Sequence, residues 1–290
     1  MTHVALPGSS ERQAILYMLA AVLAFSVMDA TVKGFAPRVG VLPALWARYT
    51  GQMIVVTLLV LPRLRSVART RRPGTQILRS ALLMGATGFF FTGLSLIPLT
   101  EASALMSVNP VLITLGAALF LGERLGPRRI AGIVAALVGA FLVIRPGSAV
   151  FTPAALLPLG AACCYSSYVL ITRRIGADED IWTSLFYTGT VGTLVLSAII
   201  PFAWTPLDTT SILMMLVIAA AGTTGQLFLI RAFTAGEAAM LAPYSYLGLV
   251  LAALWGLFLY GEIPDSWTIL GAIVISSAGL YVWYRETHRN

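Results

Sequence analysis

APYSYLGLVLAALWGLFLYGEIPDSWTILGAIVISSAGLYVWYRE, residues 242–286, holds two long apolar runs joined by a short turn whose only charges are Glu262 and Asp265. As helices, both runs are long enough to cross a hydrocarbon core of about 30 Å, which takes about 20 apolar residues. Similar runs recur outward from this stretch with only short polar breaks. The predicted spans lie near 14–35, 42–61, 77–97, 101–121, 128–145, 154–172, 181–203, 211–233, 238–260 and 267–284. The fold class expected is an all-α integral membrane protein with ten transmembrane helices. The joints IPLTEAS (97–103) and FTAGEAA (233–239) are so short that Pro98 and Gly236 are needed to separate the spans beside them.

Composition agrees. The chain is 58% hydrophobic and 11% charged, with a mean hydropathy of +0.86; soluble domains run at roughly 45–50% and about 25%. The net charge of +7 is spread through short loops. The partners expected are therefore lipid and a small-molecule solute, with no nucleic acid. Cys163 and Cys164 are adjacent inside an apolar run and lack metal-ligand spacing, so they read as packing residues. The first run has no small-residue cleavage site and reads as a permanent span.

Lys and Arg set the orientation, because short basic loops stay cytoplasmic. With both termini inside, fifteen of the nineteen basic residues are cytoplasmic: Arg12, Arg63, Arg65, Arg69, Arg71, Arg72, Arg79, Arg124, Arg128, Arg129, Arg173, Arg174, Arg231, Arg285 and Arg289. Lys33, Arg38 and Arg145 face the periplasm, and Arg48 falls inside a span. The expectation is a multi-pass protein of a bacterial inner membrane.

The chain also repeats itself. TGLSLIPLTEASAL (92–105) resembles LFLIRAFTAGEAAML (227–241), which sets Glu101 opposite Glu237. GERLGPRRIAGIVAALVGAFLV (122–143) resembles GEIPDSWTILGAIVISSAGLYV (261–282), which sets Glu123 opposite Glu262 and Gly132 opposite Gly271. Five spans per copy is an odd number, so the second copy (154–284) must be inverted relative to the first (14–145), with 1–13 and 285–290 as cytoplasmic tails. Inverted repeats recur in secondary transporters, whose solute site lies near the midplane between the halves.

With NPVLITLGAALFLGERL at 109–125, the 242–286 stretch, Asp29 to Lys33 and Arg48, the chain resembles a ten-helix EamA-type member of the drug/metabolite transporter superfamily. More narrowly it is similar to the bacterial aromatic amino-acid exporters of that superfamily. One departure is Leu249 where Pro110 would fall in the second copy, whose proline is Pro243.

Intramembrane ionisable residues usually face a cavity or a partner. Asp29 and Lys33 are four apart on one helix, so they can pair as a lock, while Lys33 or Arg48 could attract an anion. Asp29 is also the candidate for proton coupling. Glu123 and Glu262 are expected at the positive start of the helix that follows each of them. Helix breaks are expected at Pro110, Pro243 and Gly248, with the solute path beside them. The candidate solute-binding residues are Asn109, Tyr165, Tyr168, Gln226, Tyr244 and Tyr246. Tyr244 and Tyr246 point about 200° apart on a regular helix, so only one of them can face a narrow cavity.

An intramembrane enzyme fails on inventory. The only histidines, His3 and His288, lie in the tails, and no GxxxxGK[ST] loop is present. No metal or cofactor is expected. No charged ring recurs through the spans, which disfavours a channel. The resemblance implies export of small solutes, amino acids including aromatic ones, by alternating access. A phosphorylated compound or a cationic drug are the alternatives left open.

Overall fold

The computed structural model describes residues 9–121, 127–147, 152–175, 179–235 and 238–287, and in these every regular element is helical. The first half comprises α1 (Ser9–Val39), α2 (Val41–Val60), the one-turn α3 (Leu64–Val67), α4 (Pro73–Leu96), α5 (Leu99–Met106), α6 (Asn109–Leu121) and α7 (Pro127–Ile144). The second comprises α8 (Leu156–Ile175), α9 (Ile181–Ile199), α10 (Thr209–Ala235), α11 (Ala238–Ser245), α12 (Leu247–Tyr260) and α13 (Ser266–Thr287). Counting α5–α6 and α11–α12 as one crossing each, nine segments among the described residues are long and apolar enough to span, and Ile130–Ile144 of α7 is a shorter tenth. Large apolar side chains such as Phe120, Phe141, Phe202 and Phe258 stand exposed on the outside, as lipid rather than water requires.

The packing has a hidden symmetry. α1 packs on α10 as α8 packs on α4, α2 on α10 as α9 on α4, and α1 on α12 as α8 on α6. Two further pairs, α2 with α9 and α7 with α13, map onto themselves when the halves are exchanged, whereas α1 on α4 has no comparable counterpart in α8 and α10. Five crossings per half make the two copies antiparallel, so the protein is built from two inverted repeats.

Two crossings are broken, though not quite where proline alone suggests. In the first half the break falls at Ser107–Val108. There the Val108 N–H reaches the Leu105 carbonyl in a tightened turn, and Pro110 lies in the first turn of α6. Having no N–H, Pro110 cannot donate to the Met106 carbonyl, so the ladder lapses before it. In the second half Pro243 lies within α11 and Gly248 within α12, and the break is at Tyr246, whose N–H bonds the Pro243 carbonyl. Offset by the 139 residues of the repeat, Ser107–Val108 and Tyr246–Leu247 correspond, although the two prolines do not. The joint at Ile97–Pro98 separates α4 from α5 as expected; Gly236 lies outside the described residues.

Small residues set the tightest helix crossings. A Cβ on Gly271 would stand 2.6 Å from the Gly139 carbonyl oxygen, and one on Gly139 would stand 2.9 Å from that of Gly271, so α7 and α13 meet nearly backbone to backbone. Gly192 of α9 likewise lies against the ring of Tyr49 on α2.

Candidate functional site

Arg48 of α2 extends between α4 and α10. Its Nη1 donates to Thr87 Oγ1 on α4 at 3.0 Å, and its guanidinium lies 5.6 Å from the Tyr49 ring centroid and 5.8 Å from that of Phe91. Tyr49 is fully buried, with its hydroxyl 3.1 Å from Thr87 Oγ1. Asp29 on α1 interacts electrostatically with Arg48, but no ion pair within hydrogen-bonding distance forms. Its buried Oδ1 has no hydrogen-bond partner. Tyr165 of α8 is another electrostatic neighbour of Arg48, and its ring stands 5.7 Å from that of Tyr168. Guanidinium, carboxylate and aromatic faces thus converge where α1, α2 and α4 of one half meet α8 of the other, a setting suited to a polar or charged solute that also carries a ring.

Toward one end of the bundle the halves are tied by Arg79 of α4, which is only 4% exposed. Nε donates to Thr172 Oγ1 at 2.7 Å, Nη1 to Gln76 Oε1 and the Ser184 carbonyl, both at 3.2 Å, and Nη2 to the Tyr168 hydroxyl at 3.0 Å. The guanidinium also lies 4.8 Å from the Tyr168 ring centroid. Beneath it, Gln76 reaches Ser184 and Glu179, and Thr70 donates to Glu179 at 2.6 Å. Sequence reasoning counted Arg79 with the cytoplasmic arginines, at the very start of a span expected from 77. The helix begins earlier, at Pro73, so Arg79 is about two turns into it and its side chain meets α8 and α9. The signal that could have found it is the spacing Gln76, Arg79, Ser80, a polar stripe inside an otherwise apolar run.

At the opposite end Lys33 is the tie, and here the structure corrects the expected Asp29–Lys33 lock. Lys33 Nζ pairs with Glu262 Oε1 at 2.7 Å and donates to the carbonyls of Ile97 (2.8 Å) and Leu94 (3.3 Å), with the Tyr260 ring 5.8 Å away. The end of α4 exposes carbonyls without intrahelical partners, and together with a carboxylate they offer a cation more than Asp29 can. Glu262 is also not on the helix that follows it. Its Oε2 accepts from the Leu99 N–H at 2.8 Å, so it caps α5 of the other half, while Asp265 caps α13 through the Thr268 N–H at 2.8 Å. Partial burial pushes the Asp265 carboxyl up, but the Thr268 hydrogen bonds and the Arg145 guanidinium hold it below its ordinary value. Glu123 and Glu237 lie outside the described residues.

The six expected solute ligands do not share one site. Tyr165 and Tyr168 join the Arg48 and Arg79 clusters. Asn109 instead faces Ser166 of α8, which donates to its Oδ1 at 3.3 Å. Gln226 is half-buried on α10. Tyr244 packs against the buried cluster of Ala14, Met18, Val22, Ala232 and Leu241 where α1, α10 and α11 meet, and the Tyr246 hydroxyl lies against Gly279 of α13. The two side chains thus leave the crossing on different sides, Tyr244 toward α1 and Tyr246 toward α13. The side chains that sequence reasoning missed are Tyr49, Phe91, Thr87, Arg79, Glu262 and Trp255, whose indole N–H reaches Ser26 on α1 at 3.1 Å.

Comparison with known proteins gives this geometry its context. A solved crystal structure superposes with a TM-score of 0.65 at 22% identity, covering 93% of this chain and 96% of its own, and so shares the fold. Among curated relatives, a riboflavin transporter of Rhizobium johnstonii is 32% identical, over 99% of this chain and 96% of its own length. An S-adenosylmethionine uptake transporter of Rickettsia prowazekii is 26% identical over 94% and 92%, and a pseudopaline exporter of Pseudomonas aeruginosa 30% identical over 91% and 93%. These names support small-solute transport across a membrane and do not single out amino-acid export. The EamA-like transporter family matches residues 12–145 and again 152–284, one match for each inverted half, and the chain belongs to that family: it is a multi-pass membrane transporter of small solutes, not an enzyme.

Proposed function

We propose that this transporter moves a solute joining a planar ring to a charged end, the class that includes aromatic amino acids, along a path between its two halves. The observation that carries this reading is the run of neighbours Arg79, Tyr168, Tyr165, Arg48 and Tyr49, two guanidiniums interleaved with three rings, beside the Asp29 carboxylate. The two ties bounding it, Lys33 with Glu262 and Arg79 with Tyr168, Thr172 and Ser184, each join one half to the other. Parting one while keeping the other gives alternating access. On the distribution of basic residues we place the Arg79 end and both termini at the cytoplasm of a bacterial inner membrane. Export, as in the pseudopaline exporter, is the direction proposed, and the buried Asp29 carboxylate beside Arg48 is the group that would couple it to protons.

Flux of labelled phenylalanine, leucine, riboflavin and S-adenosylmethionine in proteoliposomes, with and without pH and sodium gradients, tests this. Phenylalanine flux above that of protein-free vesicles, competed by tyrosine and not by leucine, is expected. Equal flux of leucine removes the ring from the reading, and no flux of any ring-bearing solute sinks it. The second reading is riboflavin itself, favoured by the 32% identity of a riboflavin transporter over nearly the whole chain; riboflavin flux without phenylalanine flux selects it.

A further inference from the structure

Arg79 is distinguished by what surrounds it. Lys33 has Glu262, Arg38 has Asp208, Arg145 has Asp265, and Arg48 has Asp29 as an electrostatic neighbour. Arg79 is the most deeply buried arginine among the described residues, yet all its hydrogen-bond partners there are neutral: one carboxamide, one carbonyl and two hydroxyls. Glu179 is reached only through Gln76. Four of the five N–H donors of the guanidinium are used, leaving one on Nη2. A buried cation without a counter-charge is costly, and the neutral acceptors offset that cost only while the closed packing holds them in place.

Those acceptors are unevenly distributed. Gln76 shares α4 with Arg79, but Thr172 and Tyr168 belong to α8 and Ser184 to α9, in the other half. When this end opens, three of the four acceptors leave with α8 and α9. The guanidinium is then turned toward the path with its fork of donors unfilled, and a carboxylate is the group that fills such a fork in two parallel hydrogen bonds. We propose that Arg79 is the receptor for the solute's carboxylate, or an equivalent oxyanion, at this end of the path, so that only solutes bearing such a group offset the cost of opening it. The inference rests on the path proposed above and adds a specificity-determining residue to it.

Benzoate and its neutral isostere benzamide are suitable probes, because they test the anion without presuming the solute. With purified protein in detergent, benzoate is expected to raise the thermal unfolding midpoint and benzamide to leave it unchanged. Arg79→Gln should abolish the benzoate shift, whereas Arg38→Gln, at an exposed pair outside the path, should retain it. Thr172→Val, which removes a competing acceptor from Nε, should tighten the apparent benzoate affinity about three-fold or more. A merely structural arginine would give a less stable Thr172→Val protein with unchanged affinity. If Arg79→Gln does not fold, the Thr172→Val affinity decides alone. No benzoate shift in the wild type, a shift that survives Arg79→Gln, or an unchanged affinity in Thr172→Val overturns the proposal. Benzoate binding at Arg79 with no flux of any ring-bearing solute would instead count against the proposed function and leave this assignment standing.

Discussion

At the scale of single residues, the Lys33–Glu262 pair shows how a charge chooses its partner. With side-chain exposures of 13% and 20%, the pair is largely removed from water, and each member also holds backbone groups of the first half. Lys33→Met or Glu262→Gln should each cost about 2–3 kcal/mol of stability, and the double substitution less than the sum, because the second change removes a charge already stranded by the first. Denaturation in detergent measures this, and additive costs would mean that the pair is not coupled. Asp265 makes a pH prediction. Its folded pKa is depressed, so its stabilisation is present above the unfolded value of about 3.9 and is lost only as the pH falls through the folded value. Asp265→Asn should therefore cost the same at pH 7 and pH 5. A cost that already fades at pH 5 would contradict the depressed pKa.

At the scale of elements, the helices are placed by what their smallest residues permit. Gly271→Ala puts a methyl group against the Gly139 carbonyl, where no flexible side chain can yield, so α7 and α13 must separate. A loss of about 1–3 kcal/mol is expected, as for other overpacked interiors. The same substitution at Gly74, whose Cβ would meet nothing within 4 Å, should be silent. Comparing the two unfolding midpoints checks it, and equal midpoints would mean that the crossing is looser than it looks. The breaks in α5–α6 and α11–α12 carry a different expectation. Asn109 spans its break to Ser166 of the other half, so Asn109→Ala should slow transport several-fold, corresponding to roughly 1 kcal/mol. Tyr244→Ala, which only opens the α1–α11 packing, should lower stability and leave the rate per folded molecule near normal. Initial rates in proteoliposomes normalised to folded protein separate the two.

For the whole molecule, both ties between the halves are closed at once, so transport requires them to part in turn. Thr70 and Glu179 face each other across the Arg79 end, 2.6 Å apart at their oxygens. In a protein with Cys163 and Cys164 replaced, cysteines at 70 and 179 joined by a short reducible cross-linker should stop net flux, and reductant should restore it. Undiminished flux in the cross-linked protein would show that this end does not open between α4 and α8–α9.

The span positions were legible in the sequence to within a few residues, because crossing lipid demands an unbroken apolar length and every backbone group must be satisfied inside its own helix. The inverted repeat was legible for a related reason: the same packing problem, solved twice, leaves the same small residues and glycine-glutamate turns 136–139 positions apart. Arg48, Asp29, Tyr165 and Tyr168 could be picked out by their type within apolar runs. Their partners could not. Helical spacing offers Lys33 only the neighbours of its own helix, Asp29 among them, while the carboxylate and free carbonyls that hold it come from residues 94, 97 and 262. For the same reason Arg79, at the start of its expected span, counted as one more cytoplasmic arginine until α8 and α9 closed over it. Residue type marks which groups must find partners inside; which acceptors meet Lys33 and Arg79 depends on how the two halves pack against one another.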